Sequence, residues 1–227
     1  MSTSNLAQFS TCEISDALIK LSLPHGGLLP DIYIISPALS GSATRICGSA
    51  YTVQMVVTSD ISAPKLSAHF VDTIPAHSVV VINAPPEAVN AVWGGLMTAG
   101  AQARLASGVV ISGRCRDIAE HRQLGFPVFA RGHSTLGQSP FTRPSAINVP
   151  LVIAAPSPVA DSFPALTVHP GDWIVADEDG VVCVPKDLES HVIELATRGR
   201  EIDDRCMQDI KAGKGVQASF NLHRGKP

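Results

Sequence analysis

The chain has 227 residues, 45% of them apolar and 16% charged, with a net charge of −3. That balance supports a sizeable buried core and excludes wholesale disorder. It also argues against a nucleic-acid surface as the main function. Aromatic residues make up only 5%, so the core must be built mainly from Val, Ile, Leu and Ala.

The five cysteines, Cys12, Cys47, Cys115, Cys183 and Cys206, are odd in number and form no C-x-x-C pair. This suits reduced, packed thiols and a cytoplasmic location better than a disulfide frame. The histidines are scattered without a zinc-binding spacing. "MSTSNLAQFS" has no secretory pattern, and no apolar run approaches the ~20 residues that cross a bilayer. Neither a membrane nor nucleic acid is an expected partner.

In chain order, "STCEISDALIKLSLPHGG" predicts a helix capped by Ser10 or Thr11, with Ile14, Ala17, Leu18 and Leu21 on one face. "SATRICGSAYTVQMVVT" reads as two strands, or one bent at Gly48. Residues 60–73 read as helical after Pro64. "SVVVINAP" is a continuous apolar run, as in a strand buried on both faces. Helix 96–106 follows Gly94 and Gly95, with Leu96, Ala99 and Ala103 sharing a face and Gly108 ending it. Val109 to Ser112 is a second buried strand, and Asp117 starts a helix that stops at Gly125. "PVFARG" and "PLVIAA" are further strands, and 140–158 reads as a proline-rich loop within one domain. "DWIVADEDGVVCVP" is a hairpin turning at Asp-Gly. An amphipathic helix follows, with Leu188, Val192, Leu195 and Ile202 as its apolar positions.

Strand, helix, strand, helix across 78–125 is a βαβα unit, so part of the sheet is parallel. The strand-rich flanks make this a mixed α/β fold in a single domain over 1–210, with 211–227 a loosely ordered tail.

The crossover sends the loops after Ile82 and Ser112 to one sheet edge, where ligands of open α/β sheets bind. There the Gly94-Gly95 turn exposes the amides of Gly95, Leu96 and Met97 at a helix N-terminus, a favourable place for an anion. "GRCRD", residues 113–117, brings Arg116 for bidentate pairing with a carboxylate and Asp117 for a hard divalent cation. A small anionic keto acid would use all three parts. Each part also has a plain structural reading. Asp117 followed by Glu120 matches a capping box, Arg114 and Arg116 suit solvent, and Cys115 reads as packing, with no partner base in view.

Together the parts are more specific. "AVWGGLMTAGAQARLASGVVISGRCRDIAEHRQLGFPVFARG", residues 91–132, resembles the central segment of the RraA-like family, which includes 4-hydroxy-4-methyl-2-oxoglutarate aldolases and regulators of ribonuclease activity. "STCEISDAL" and "PGDWIVADEDGVVCVP" fit as well, so the resemblance spans about residues 8–205. It implies a swivelling β/β/α domain that assembles as homotrimers or homohexamers with active sites at subunit interfaces. It implies divalent-metal enzymes that make and cleave C–C bonds of pyruvoyl acids and decarboxylate oxaloacetate. Carried over by motif, Arg116 would contact the pyruvoyl group, Asp117 would hold Mg²⁺ or Mn²⁺, and the amides of Gly94, Gly95, Leu96 and Met97 would receive the carboxylate. One departure stands out. The aldolases show an acidic residue, twenty residues and then Arg-Asp, and the acidic position is here Gly95. Ser112 likewise stands where an Asp is common.

The mechanism so implied is a metal-dependent lyase passing through pyruvate enolate. None of the lysines adjoins Arg116, which disfavours a Schiff base. The aldol base is unassigned, with Asp177, Glu178 or Asp179 of a neighbouring subunit as candidates. The alternative function is a non-catalytic regulator that binds protein partners such as ribonucleases or helicases.

Overall fold

The computed structural model describes residues 4–23, 25–37, 44–156 and 163–225. In chain order they form α1 (Thr11–Lys20), β1 (Tyr33–Ser36), β2 (Ile46–Val57), β3 (Ser78–Asn83), β4 (Ala91–Trp93), α2 (Gly95–Ala103), β5 (Gly108–Cys115) and α3 (Ile118–Leu124). Then follow β6 (Val128–His133), β7 (Thr142–Ile147), β8 (Leu151–Ile153), β9 (Leu166–Val168), β10 (Trp173–Asp177), β11 (Gly180–Val184), α4 (Glu189–Lys211) and α5 (Val216–His223).

Seven strands run in the order β1-β6-β5-β3-β2-β10-β11, with β4 added to β5 and β7 to β2; β8 and β9 pair separately. The centre is parallel, through β2–β3, β3–β5 and β5–β6, and the flanks are antiparallel. This is the mixed α/β fold expected. The sheet curls until its ends nearly meet. The segment before β1 reaches β11, with the Leu29 amide donating to the Val181 carbonyl and the Cys183 amide to Gly27.

The continuous apolar runs follow from burial on both faces. Val79, Val81 and Val110 point into one cluster with Phe129, Ile174 and Val181. Val80, Ile82, Val109 and Ile111 point into another with Tyr51, Phe70 and Trp93. A third cluster seats α1 and α4 on β10 and β11, through Ile14, Leu18, Val175, Val182 and Val192. Ser10, not Thr11, caps α1. It forms a capping box with Glu13, whose carboxylate also takes two hydrogen bonds from Arg200 at 2.6 and 2.9 Å.

Several expectations are corrected. Residues 60–73 are not a helix beyond a short 3-10 turn, Phe70–Thr73. Arg143 donates to the carbonyls of Asp60, Ala63 and Pro64, so a side chain from β7 satisfies groups that a helix would have paired internally. The 140–158 stretch carries β7 and β8, with Pro144 admitted because β7 lies off the main strand path. Of the two alternatives for the segment around Gly48, the single strand holds: β2 runs from Ile46 to Val57 without a break at Gly48. Helix α2 ends at Ala103, and Leu105 takes the left-handed turn assigned to Gly108, which instead opens β5. Its buried face is Gly95, Thr98 and Ala101, whereas Leu96 is 82% exposed. The tail expected to be loose contains α5, docked on α4 through His223 with Asp209 and Arg224 with Asp203.

Candidate active site

Ala84 donates to the Ser112 carbonyl, so the ends of β3 and β5 lie side by side as the crossover requires. The three residues of β4 then extend the sheet alongside the end of β5, pairing Ala91 with Arg114 and Trp93 with Cys115. The Arg116 amide donates to the Trp93 carbonyl at 2.9 Å. This short strand carries α2 to the sheet edge and sets its N-terminus against Arg116 and Asp117.

Asp117 adopts left-handed backbone angles, φ 61° and ψ 42°, and makes no side-chain cap to α3. The capping-box reading is therefore corrected, because an N-cap needs extended backbone to turn its carboxylate over its own helix. Here the carboxylate turns toward α2. Asp117 Oδ2 accepts the Gly95 amide at 3.0 Å and lies 3.5 Å from Arg116 Nε. No hydrogen bond to Oδ1 is formed among the described residues. Asn and Asp are the residues that best tolerate this conformation outside glycine, and such strain concentrates at functional sites.

The anion-binding expectation is narrowed by the same bond. The Gly95 amide is engaged by Asp117, and the Met97 amide donates to the Gly94 carbonyl at 3.0 Å. Leu96 is the first-turn amide left without a protein acceptor among the described residues. Gly94 admits the Asp117 carboxylate, since a Cβ there would lie 2.6 Å from Oδ2.

These groups border a cavity of about 230 Å³, with His69, Leu96, Met97, Arg116, Asp117 and Gln138 in its wall. Gly137 passes over Arg116, where a Cβ would lie 2.7 Å from Nη1. His69 and Gln138 come from loops far away in sequence and carry no local signal. His69 Nδ1 accepts the Val71 amide at 3.3 Å, which leaves the proton on Nε2. Among the described residues no lysine lines the cavity. A larger cavity of about 370 Å³, bordered by Cys47, Tyr51, Pro75, His77 and Trp173, presents no carboxylate or guanidinium among the described residues and does not suit a keto acid.

Beneath the site, Trp93 Nε1 donates to Thr98 Oγ1 at 2.8 Å, and Thr98 Oγ1 lies 2.9 Å from His121 Nδ1. His121 has no exposed surface. Burial pushes its imidazole pKa down, opposed by the Arg116 backbone and the charges of Asp117 and Glu120. This buried chain ties β4, α2 and α3 together.

Other expected residues have structural roles. Cys115 is buried, and desolvation pushes its thiol up to about 11, so it packs and is no nucleophile. Arg114 is exposed and donates to the His133 carbonyl. Asp177 is buried and accepts from the Thr11 amide and hydroxyl at 3.0 and 2.6 Å, with Arg45 3.4 Å away. It is committed to anchoring α1 and is withdrawn as an aldol base. Glu178 accepts the Thr44 amide.

The cavity's donor set suits a hard cation. Carboxylate oxygen with room for water and substrate is how Mg²⁺ is commonly held. Among the described residues no group of three or more His, Cys, Asp or Glu converges to cage a metal. A cation here would therefore be completed by water and substrate oxygens.

Comparison with known proteins gives consistent matches. The profile of the RraA-like family, described as Aldolase/RraA, matches residues 11–183. Protein DlpA of Legionella pneumophila is 30% identical over 213 residues, covering 93% of this chain but 32% of that protein. A Halalkalibacterium halodurans protein named "Putative 4-hydroxy-4-methyl-2-oxoglutarate aldolase" is 30% identical over 164 residues, 72% of this chain and 70% of that one. The crystal structure of an uncharacterized protein from Pseudomonas syringae pv. tomato superposes with a TM-score of 0.77 at 30% identity, covering 94% of both chains.

Proposed function

The chain belongs to the RraA-like family, and on that premise we propose that it is a divalent-metal-dependent lyase of pyruvoyl acids. Its substrates are of the 4-hydroxy-4-methyl-2-oxoglutarate and 4-carboxy-4-hydroxy-2-oxoadipate type, with oxaloacetate decarboxylation as a companion activity. The observation that carries this reading is the convergence of Arg116, strained Asp117 and the head of α2 on one small cavity.

Asp117, through Oδ1 and intervening water, is the residue that would hold Mg²⁺ or Mn²⁺. When bound, the cation supplies electron withdrawal from the 2-keto acid portion of the substrate. The protein's own groups do the rest. Arg116 pairs with the pyruvoyl oxygens, and the Leu96 amide receives carboxylate charge at the helix N-terminus. In both reactions a bond to C3 breaks. Oxaloacetate loses CO₂, whereas the hydroxy acids give up the C4 hydroxyl proton to water and lose that carbon as a keto acid. In both the electron pair of the broken bond is left as pyruvate enolate, which takes a proton from water to become pyruvate. Arg116 meets negative charge that grows toward the transition state, which makes its effect catalytic and not merely binding. His69 Nε2–H provides a donor on the cavity wall.

The family resemblance also supports assembly as a trimer or hexamer. Leu96, 82% exposed beside the cavity, is an apolar group suited to a subunit contact. Five free cysteines suit a reducing, cytoplasmic setting. Among the described residues no helix is long and apolar enough to cross a membrane.

A partner-binding regulator is the second reading, favoured by the bare Gly95. A panel assay separates the two. Pyruvate release from oxaloacetate and the two hydroxy acids, abolished by EDTA, is expected for the lyase. No metal-dependent turnover on any of them contradicts it.

A further inference from the structure

The two glycines at the head of α2 are each faced by a carboxylate from the head of α3. Gly94 faces Asp117, and Gly95 faces Glu120. A Cβ built on Gly95 would overlap Glu120 Oε2 and lie 2.7 Å from its Cδ. The Glu120 carboxylate thus fills the volume that a side chain at position 95 would take. Glu120 is exposed, yet its carboxylate accepts no hydrogen bond from the described residues. Its neighbour Asp117, by contrast, is engaged through Oδ2 by Gly95 and Arg116. A carboxylate without a hydrogen-bond partner among the described residues thus lies against the same helix head that Asp117 Oδ2 engages.

We propose that Glu120 is the second carboxylate of this site, a positioning residue that orients water and the cation held at Asp117, and that residue 95 is glycine to admit it. The inference rests on the lyase reading of the cavity. It accounts for the bare Gly95 without loss of function, because the charge arrives from α3 across the gap instead of from α2.

The readout is Mn²⁺ affinity, followed by the electron paramagnetic resonance signal of the free ion, with thermal melts to confirm folding. Glu120→Gln keeps the size and removes the charge. It is expected to weaken Mn²⁺ binding about tenfold, the lower end for residues that orient ligands and bound water. Gly95→Ala keeps the charge on Glu120 but pushes its flexible end aside. It is expected to weaken Mn²⁺ binding to a similar degree while leaving the melting temperature unchanged or higher, since Ala favours the helix. The double variant is expected to be no weaker than either single one, because both remove the same interaction. A general surface-charge effect would spare Gly95→Ala. Wild-type affinity in Glu120→Gln or in Gly95→Ala overturns the inference. If Asp117→Ala loses Mn²⁺ while both of those variants keep it, this inference falls and the lyase reading stands. If the wild-type protein binds no Mn²⁺, both fall together.

Discussion

Asp117 Oδ2 accepts the backbone amide of Gly95 at 3.0 Å, so the aspartate at the head of α3 caps α2 and leaves its own helix uncapped. One carboxylate oxygen clamps two helix heads together, and the other accepts no hydrogen bond from the described residues. Asp117→Asn retains the left-handed backbone and an oxygen for Gly95 but loses the negative charge. The expected outcome is a melting temperature close to that of the wild type, with decarboxylation of oxaloacetate lowered about 10²-fold. A steady-state assay beside a thermal melt checks both. Full activity would return Asp117 to a purely structural role.

On the proposed mechanism, Arg116→Ala removes the charged donor that meets growing enolate charge. The expected loss is about 10²-fold or more, falling mainly on kcat. A loss confined to KM would show that Arg116 binds substrate and transition state equally. Arg114→Ala serves as the comparison, since Arg114 is exposed and donates to a backbone carbonyl. It is expected to change activity little.

The buried Trp93–Thr98–His121 chain predicts a pH effect on stability. Burial lowers the His121 pKa from its ordinary 6.5, so the unfolded chain binds the proton more readily than the folded one. Stability from keeping His121 neutral is present above about pH 6.5 and is lost as pH falls through that value toward the depressed folded pKa. Melting temperatures between pH 8 and 5 are expected to decline along this course, and less steeply in His121→Gln. Thr98→Val, which strands the Trp93 indole N–H and His121 Nδ1, is expected to cost about 1–3 kcal/mol in denaturant unfolding.

Glu13 gives a second, more acidic step. Hydrogen bonds from Arg200 hold its carboxyl at about 2, below its ordinary 4.5. The stability it contributes is present above pH 4.5 and is lost as pH falls toward 2. Glu13→Gln is expected to lower the melting temperature at pH 7 and to flatten its dependence on pH across that window.

The legible parts of this molecule were those written in local pattern. Val79 to Ile82 and Val109 to Ile111 announce strands because both of their faces are buried. The parallel crossover then places Asn83 and Ser112 at one edge, and with them Gly94, Arg116 and Asp117. What sequence could not convey was set by distant partners. β4 has only three residues and exists because the end of β5 offers it a ladder. The loop at 60–69 is irregular because Arg143 takes its carbonyls. Apolar spacing puts Leu96 on one face with Ala99 and Ala103, whereas the buried face is drawn toward Trp93 and His121 by Thr98. His69 and Gln138 reach the cavity only through tertiary packing. The capping box at "DIAE" failed for a backbone reason, the left-handed turn at Asp117, which no spacing rule detects.

The central claim is that Arg116 and Asp117 form a metal-dependent site for pyruvoyl acids. Its most direct test is the rate of pyruvate formation from oxaloacetate by the purified protein, after EDTA treatment and again after addition of Mg²⁺ or Mn²⁺. Turnover is expected to fall to the enzyme-free rate with EDTA and to recover on adding the cation. Turnover unaffected by EDTA, or a rate never above the enzyme-free one with either cation, would contradict it.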